Sequence, residues 1–180
     1  MLFSILRNKA VLVATVLLAA DILTKFLTHL YLPLRNWTTL WYPYGGIGVF
    51  QDVAGVEFSI IHATNKGAAW GILSDFQDYL LIFRILLICS LVAYMLFFNK
   101  NKQWQIPLAM IIGGALGNVL DFFIYGHVVD MLHFVLWGYD FPVFNVADSA
   151  IFLGICTLFV MSWLENPGTS NSKSSFKSKG

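Results

Sequence analysis

Residues 113–130 read Gly-Gly-Ala-Leu-Gly-Asn-Val-Leu-Asp-Phe-Phe-Ile-Tyr-Gly-His-Val-Val-Asp, and residues 144–149 read Phe-Asn-Val-Ala-Asp-Ser. Each stretch carries an aspartate, Asp130 and Asp148, at the edge of a strongly apolar segment. Placing an ionisable carboxyl group close to hydrocarbon is costly, so such residues usually have a function. The two stretches therefore predict chemistry at a membrane.

The composition restricts the class of protein. Hydrophobic residues make up 58% of the 180 residues and charged residues only 12%, with a mean hydropathy of +0.71. These values exclude an ordinary soluble domain with a polar shell. A net charge of +1 without a basic patch argues against a nucleic-acid partner, whose phosphates require clustered Lys and Arg.

The apolar segments predict an all-α membrane protein with four transmembrane helices, at about residues 10–32, 79–98, 104–124 and 144–164. Residues 35–78 contain glycines, aromatic residues and half-alternating segments, which predict a small β-sheet outside the bilayer between helices 1 and 2. We expect a single polytopic domain over residues 1–165 and a disordered cytoplasmic tail over residues 166–180. A cleavable signal peptide at the start is an alternative, although the apolar pattern continues past Ala19-Ala20.

Charge distribution predicts the orientation. With four spans, both termini lie on one side of the membrane together with the Lys100–Lys102 loop, while Arg35 and Lys66 lie on the other side. Cytoplasmic loops carry the excess of Lys and Arg. We therefore expect cytoplasmic termini, with the sheet and the carboxylates facing the outer side of the membrane.

Several polar residues are spaced so that they share helix faces. Asp21 and Lys25 are four residues apart in the first span and can form an ion pair. An Asn-x-x-Asp pattern occurs twice, at 118–121 in the third span and at 145–148 at the outer end of the fourth. Two helices therefore present an amide and a carboxylate at similar depth.

Asp130, on the link between the third and fourth spans, can meet Asp148 over the outer mouth of the bundle. Like charges held close together cannot both ionise, so one carboxyl group becomes an acid and the other a base that activates water. This arrangement predicts aspartyl-protease chemistry. From spacing alone, a buried carboxyl group satisfied by Asn or Lys is an equal alternative.

Other chemistries find little support in the sequence. There is no Gly-x-Ser-x-Gly pattern, and Ser149 is the one hydroxyl group beside a candidate residue. The four histidines lack the His-Glu-x-x-His spacing of a zinc site, and Cys89 and Cys156 lie within apolar runs, where we expect small buried residues. We predict no metal and no cofactor.

The chain resembles the bacterial lipoprotein signal peptidases (signal peptidase II), which are membrane aspartyl proteases, over nearly all of residues 10–165. Five blocks match in order: Asp21-Ile-Leu-Thr-Lys25, Asn65-Lys-Gly-Ala-Ala-Trp70, 113–121, 126–130 and 144–149. The resemblance implies removal of the signal peptide from diacylglyceryl-modified prolipoproteins, immediately before the lipidated cysteine. It implies four helices in the bacterial inner membrane, with a small β-sheet and the active site at the periplasmic face. It also implies Asp130 and Asp148 as the catalytic pair. The substrate-binding or supporting residues it implies are Asp21, Lys25, Asn65, Gly67, Asn118, Asp121, Asn145 and Ala147.

The chain also departs from the family pattern. Phe122 stands where the family usually has an arginine, Ile22 where it has glutamine, and Gly71 where it has serine. Phenylalanine cannot donate the hydrogen bonds of a guanidinium group, and Lys25 or Arg84 are the candidates to replace it.

The expected partners are the lipid-modified prolipoprotein and membrane lipids, and we expect a monomer. Two alternatives for the function remain open. The first is a non-catalytic membrane protein that binds lipidated peptides, and the second is a small transporter or proton relay, because acidic residues within spans often carry ions.

Overall fold

The computed structural model describes residues 2–36, 38–66 and 76–165. A π-helical turn, Tyr94–Phe98, extends the second helix, and a 3-10 turn, Lys102–Trp104, precedes the third. In chain order the elements are α1 (Leu2–Tyr31), β1 (Ile47–Val53), β2 (Val56–Asn65), α2 (Gln77–Ala93), α3 (Gln105–Tyr125), β3 (Val128–Leu136), β4 (Tyr139–Asp140) and α4 (Val146–Glu165).

Four of these helical segments are long and apolar enough to cross a membrane, with mean hydropathies of 1.7 to 2.5. They are Lys9–Tyr31, Gln77–Phe98, Lys102–Tyr125 and Val146–Glu165. This confirms the four helices predicted from the sequence, with boundaries that differ by a few residues.

Helix α3 is the central helix of the bundle. Half of its apolar window is buried, against 6% for α2, because α1, α2 and α4 all pack on α3. Gly113 lies against the backbone of Ala14 in α1, and Gly114 lies against the carbonyl oxygen of Ala147 in α4. A side chain at either glycine would separate the helices, so these small residues serve close packing as is common in membrane bundles.

The β-sheet differs from the prediction. It has four antiparallel strands in the order β1-β2-β3-β4, and β3 and β4 come from the connection between α3 and α4. The α1–α2 connection and the α3–α4 connection therefore build one sheet together. The prediction of an all-α protein with a sheet confined to residues between helices 1 and 2 is too narrow. Asp130 accordingly lies within strand β3 and not on an irregular link.

Gly126 ends α3. Its φ is 73°, in the left-handed region that favours glycine, and its amide donates to the carbonyl oxygen of Phe122 at 3.1 Å. The chain reverses there and enters β3 two residues later. The turn thus brings Asp130 back over the end of the helix that carries Asn118 and Asp121.

Some predicted features lie outside the described residues. They are Gly67, Trp70, Gly71 and the tail over residues 166–180.

Candidate active site

Lys25 is the centre of a buried polar cluster. Its Nζ lies 2.7 Å from Asp21 Oδ2, 2.8 Å from Asp121 Oδ2 and 2.9 Å from Asn118 Oδ1. The Lys25 side chain is fully buried, and its three N–H donors match these three acceptors. The predicted pairing of Asp21 with Lys25 is therefore present, and Lys25 in addition links α1 to α3.

The two carboxylates on either side of Lys25 also hold the neighbouring backbone. Asp21 Oδ1 accepts a hydrogen bond from the amide of Ala147 at 2.8 Å, and Asp121 Oδ2 accepts one from the amide of Val129 at 3.1 Å. These bonds connect α1 to the start of α4 and α3 to β3. Asp21 and Asp121 thus support the elements that carry Asp148 and Asp130.

Two asparagines connect the lysine to the aspartates of the predicted pair. Asn118 accepts from Lys25 through Oδ1 and donates from Nδ2 to Asp148 Oδ1 at 2.8 Å. Asn145 donates from Nδ2 to Asp130 Oδ1 at 2.7 Å and to Asn118 Oδ1 at 3.1 Å. Asp130 and Asp148 are therefore joined by a continuous chain of amide hydrogen bonds.

Asp148 is held at the beginning of α4. The amide of Asp148 donates to Asn145 Oδ1 at 2.9 Å, and the amide of Asn145 donates to Asp148 Oδ2 at 3.3 Å. This reciprocal arrangement is that of a capping box, with Asn145 and Asp148 at the N-cap and N3 positions. Asp148 is only partly buried, so its carboxyl group is accessible from the mouth of the site.

Strand β3 positions Asp130 opposite Asp148. A two-residue bridge pairs Leu132 with Phe144, and the Leu132 amide donates to the carbonyl oxygen of Phe144 at 2.8 Å. This pairing fixes the residue immediately before Asn145 against the strand that carries Asp130. On the other side of the strand, Asn65 of β2 donates from Nδ2 to Asp130 Oδ2 at 3.2 Å.

The electrostatic state of Asp130 is unusual. Burial, with 3% of the residue exposed, and the nearby charge of Asp148 together raise the pKa of Asp130 from 3.8 to about 7, although hydrogen bonds from Asn65 and Asn145 act in the opposite direction. A carboxyl group with such a pKa can hold a proton at neutral pH and release it readily. This is the property required of a general acid.

The structure thus brings nine of the ten predicted site residues into one cluster, and the tenth, Gly67, lies outside the described residues. The nine are Asp21, Lys25, Asn65, Asn118, Asp121, Asp130, Asn145, Ala147 and Asp148. Among the described residues, no group of three or more His, Cys, Asp or Glu side chains could hold a metal ion.

Sequence reasoning missed a second polar chain in the sheet. Ser59 Oγ lies 3.2 Å from His133 Nδ1, and His133 Nε2 lies 2.7 Å from Asp140 Oδ1. These are the three residue types of a serine-protease triad, but the ring nitrogens are exchanged, because in the triad the serine contacts Nε2 and the aspartate contacts Nδ1. Moreover, Ser59 is fully buried and His133 is 1% exposed, so a substrate carbonyl group cannot reach the hydroxyl group. We infer that these hydrogen bonds stabilise the sheet. Arg35 adds a salt bridge to Asp140 at 3.1 Å.

Lys25 and Arg84 are the two candidates to replace the family's usual arginine, and their positions could not be predicted from the sequence alone. Lys25 is occupied by its three partners. Arg84 of α2 lies over the ring of Phe122, with 5.3 Å between its Cζ and the ring centroid. Phe122, which stands where the family usually has an arginine, is thus in contact with a cation from α2.

Comparison with known proteins identifies the family of this chain. The family described as signal peptidase (SPase) II matches residues 13–164. The chain belongs to the signal peptidase II family. Lipoprotein signal peptidases of Staphylococcus aureus strains JH9 and N315 are each 37% identical to it over 131 residues, covering 71% of this chain and 77% of theirs.

Solved structures of bacterial membrane enzymes share this fold. A bacterial membrane enzyme determined by the in meso method at 2.3 Å resolution aligns with a TM-score of 0.71 and 29% identity, covering 96% of this chain and 95% of that one. A second, at 1.9 Å resolution, has a TM-score of 0.68 and 28% identity over 86% and 92% of the two chains. As a member of the signal peptidase II family, the chain is a multi-pass bacterial membrane protease.

Proposed function

We propose that this signal peptidase II homologue removes the signal peptide of diacylglyceryl-modified prolipoproteins before the lipidated cysteine, using Asp130 and Asp148 as an aspartyl dyad. Family membership supports the cleavage of prolipoproteins. The observation that supports the dyad is the chain of amide hydrogen bonds that joins the two carboxyl groups at the mouth of the bundle.

The two aspartates have different environments, and this suggests their roles. Asp130 is buried and has a pKa of about 7, so it carries the shared proton. Asp148 is partly exposed and accepts hydrogen bonds from Asn118 and from the Asn145 amide, which suit a carboxylate.

In the reaction, Asp148 takes a proton from a water molecule while the oxygen of that water attacks the scissile carbonyl carbon. Asp130 donates its proton to the carbonyl oxygen, which gives a neutral tetrahedral intermediate. The intermediate then collapses, the C–N bond breaks, and the leaving amine receives the proton held by Asp148. The proton of the collapsing hydroxyl group returns to Asp130, so the dyad is restored.

The orientation and the supporting roles are part of the proposal. The Lys100–Lys102 loop lies at the opposite end of the bundle from the dyad, which favours cytoplasmic termini and a periplasmic active site. Asp21, Lys25, Asp121 and Ala147 support the dyad, and Asn65, Asn118 and Asn145 orient it. We propose a monomer, because every member of the cluster comes from one chain.

The test is cleavage of a diacylglyceryl-modified prolipoprotein by the purified protein in detergent, beside the unlipidated precursor. Asp130→Asn and Asp148→Asn should each abolish cleavage. Asp52→Asn is a matched control, because Asp52 is exposed in β1 and has a φ of 50°, which asparagine tolerates. Substantial activity in either dyad variant would refute the mechanism. Binding of the lipidated peptide without turnover by the wild type would favour the non-catalytic alternative.

A further inference from the structure

Arg84 is a cation in the interior of a membrane span. The segment Gln77–Phe98 has a mean hydropathy of 2.5, and Arg84 lies seven residues after its beginning, at a depth of about 10 Å along the helix. Charged residues at such positions are costly and usually mark a function.

The direction of α2 carries the Arg84 side chain toward the dyad. Gln77, the first residue of α2, donates from Nε2 to the carbonyl oxygen of Gly126 at 3.0 Å, so α2 begins at the end of the bundle where α3 ends. Side chains on a helix lean toward its N-terminus. The long Arg84 side chain therefore extends toward the mouth of the site and away from the centre of the membrane.

Phe122 holds the guanidinium group in place. The Arg84 Cζ lies 5.3 Å from the centroid of the Phe122 ring, within the range of a cation–π interaction. Phe122 is 9% exposed, so the ring is itself fixed by packing. It lies four residues after Asn118 on α3, and therefore on nearly the same helix face as the amide that donates to Asp148.

The charge of Arg84 acts on the dyad. Its guanidinium group interacts electrostatically with Asp148 and, more weakly, with Asp130. Lys25 by contrast directs its three donors to Asp21, Asp121 and Asn118. Arg84 thus acts on the dyad from α2, a helix that contributes no residue to the Lys25 cluster.

A peptide cleaved at this site needs such a donor. Its scissile segment must leave the helical conformation to expose a carbonyl carbon, and backbone carbonyl groups released in a low-dielectric environment are costly unless they accept a hydrogen bond. The planar guanidinium group carries five N–H donors, all of which point outward in its plane. A ring stacked on its face therefore does not block them.

We propose that Arg84, positioned by Phe122, binds a backbone carbonyl group of the substrate next to the scissile bond. This inference rests on the proposed function, because it places the substrate at the Asp130–Asp148 dyad. It assigns α2, the least buried of the four helices, a direct role in substrate binding.

The first experiment compares Arg84→Gln and Arg84→Lys with wild type in the cleavage assay, at several substrate concentrations. Arg84→Gln should lower kcat/KM about 10- to 100-fold, the range for loss of a hydrogen bond to a charged group, and Arg84→Lys should retain part of the activity. Phe83→Gln places the same side chain one position away on the exposed face of α2, and it should change kcat/KM less than about 3-fold.

A second experiment separates binding from folding. In Arg84→Leu combined with Phe122→Arg, the cation moves across the contact from α2 to α3. The double variant should recover most of the activity that Arg84→Leu alone loses, which a merely structural role for Arg84 does not predict. A double variant no better than Arg84→Leu would overturn the proposal.

The outcomes distinguish this proposal from the function on which it rests. If wild type cleaves, Asp148→Asn does not, and Arg84→Gln has wild-type kcat and KM, then Arg84 has no role in binding while the dyad stands. If wild type itself fails to cleave the lipidated substrate, both proposals are wrong.

Discussion

Replacing Lys25 by methionine tests whether the buried cluster holds the site together. Methionine matches the length of the lysine stem but removes the charge and all three donors. The variant leaves the Asp21 and Asp121 carboxylates, which lie 2.7 and 2.8 Å from Nζ, without their cation. Removing one partner of a buried ion pair costs about 3–5 kcal/mol, because the remaining charge stays uncompensated.

That cost should be visible in thermal unfolding. For a chain of this size, each kcal/mol shifts Tm by about 2–4 °C, so the Lys25→Met variant should unfold roughly 6–20 °C below wild type in the same detergent. Lys9→Met is the matched control, because Lys9 is exposed at the other end of α1, and its Tm should stay close to that of wild type. Cleavage should also fall in Lys25→Met, since Asn118 loses the contact that orients it toward Asp148.

A triple variant shows whether the effect is electrostatic. Adding Asp21→Asn and Asp121→Asn to Lys25→Met removes all three charges but keeps oxygen acceptors for the Ala147 and Val129 amides. At least half of the lost Tm should return. A Lys25→Met protein that unfolds within about 2 °C of wild type would refute the reasoning, because the cluster would then contribute little to stability.

Three further predictions concern single residues. Because the pKa of Asp130 is raised to about 7, cleavage should decline as pH rises through 7. The free energy of unfolding should also decrease as pH rises from about 4 to 7, because the folded state there holds a proton that the unfolded chain has released. Kinetics and denaturation of wild type and Asp130→Asn over this pH range check both, and an unchanged stability profile in Asp130→Asn would contradict the assignment. Ser59→Ala should leave kcat/KM within about 2-fold of wild type, whereas His133→Ala should lower Tm. If Ser59→Ala lost cleavage at wild-type stability, the buried hydroxyl group would be functional. Gly117→Ala should reduce both Tm and cleavage, because the new Cβ would lie 2.3 Å from Asp21 Oδ2 and such overpacking costs about 1–3 kcal/mol. A Tm equal to that of wild type would show instead that α1 and α3 can move apart freely.

Local periodicity predicted much of this structure. The pairing of Asp21 with Lys25 and the shared faces of the two Asn-x-x-Asp patterns follow from helical spacing, which depends only on residues within one element. The four spans follow from hydropathy over about 20 residues in the same way. The end of α3 at Gly126 follows from the conformational freedom of that one residue.

Contacts between distant elements could not be predicted in this way. The segment Val128–Leu136 is rich in β-branched and apolar residues, but its pairing with β2 joins residues more than 60 positions apart, such as Ala63 and Asp130. The Ser59–His133–Asp140 chain depends on the same register, because Ser59 pairs directly with His133. The contact of Arg84 with Phe122 depends on how α2 rotates against α3, which the largely apolar surface of α2 leaves unspecified.

The division between local and distant contacts also bears on the dyad itself. Asp148 is held by an N-terminal cap within its own helix, whereas Asp130 takes its position from strand pairing with Ala63 and from the bridge between Leu132 and Phe144. A shift of β3 by one residue would turn the Asp130 side chain to the opposite face of the sheet. A competent dyad therefore requires the correct register of β3 as well as the helix bundle.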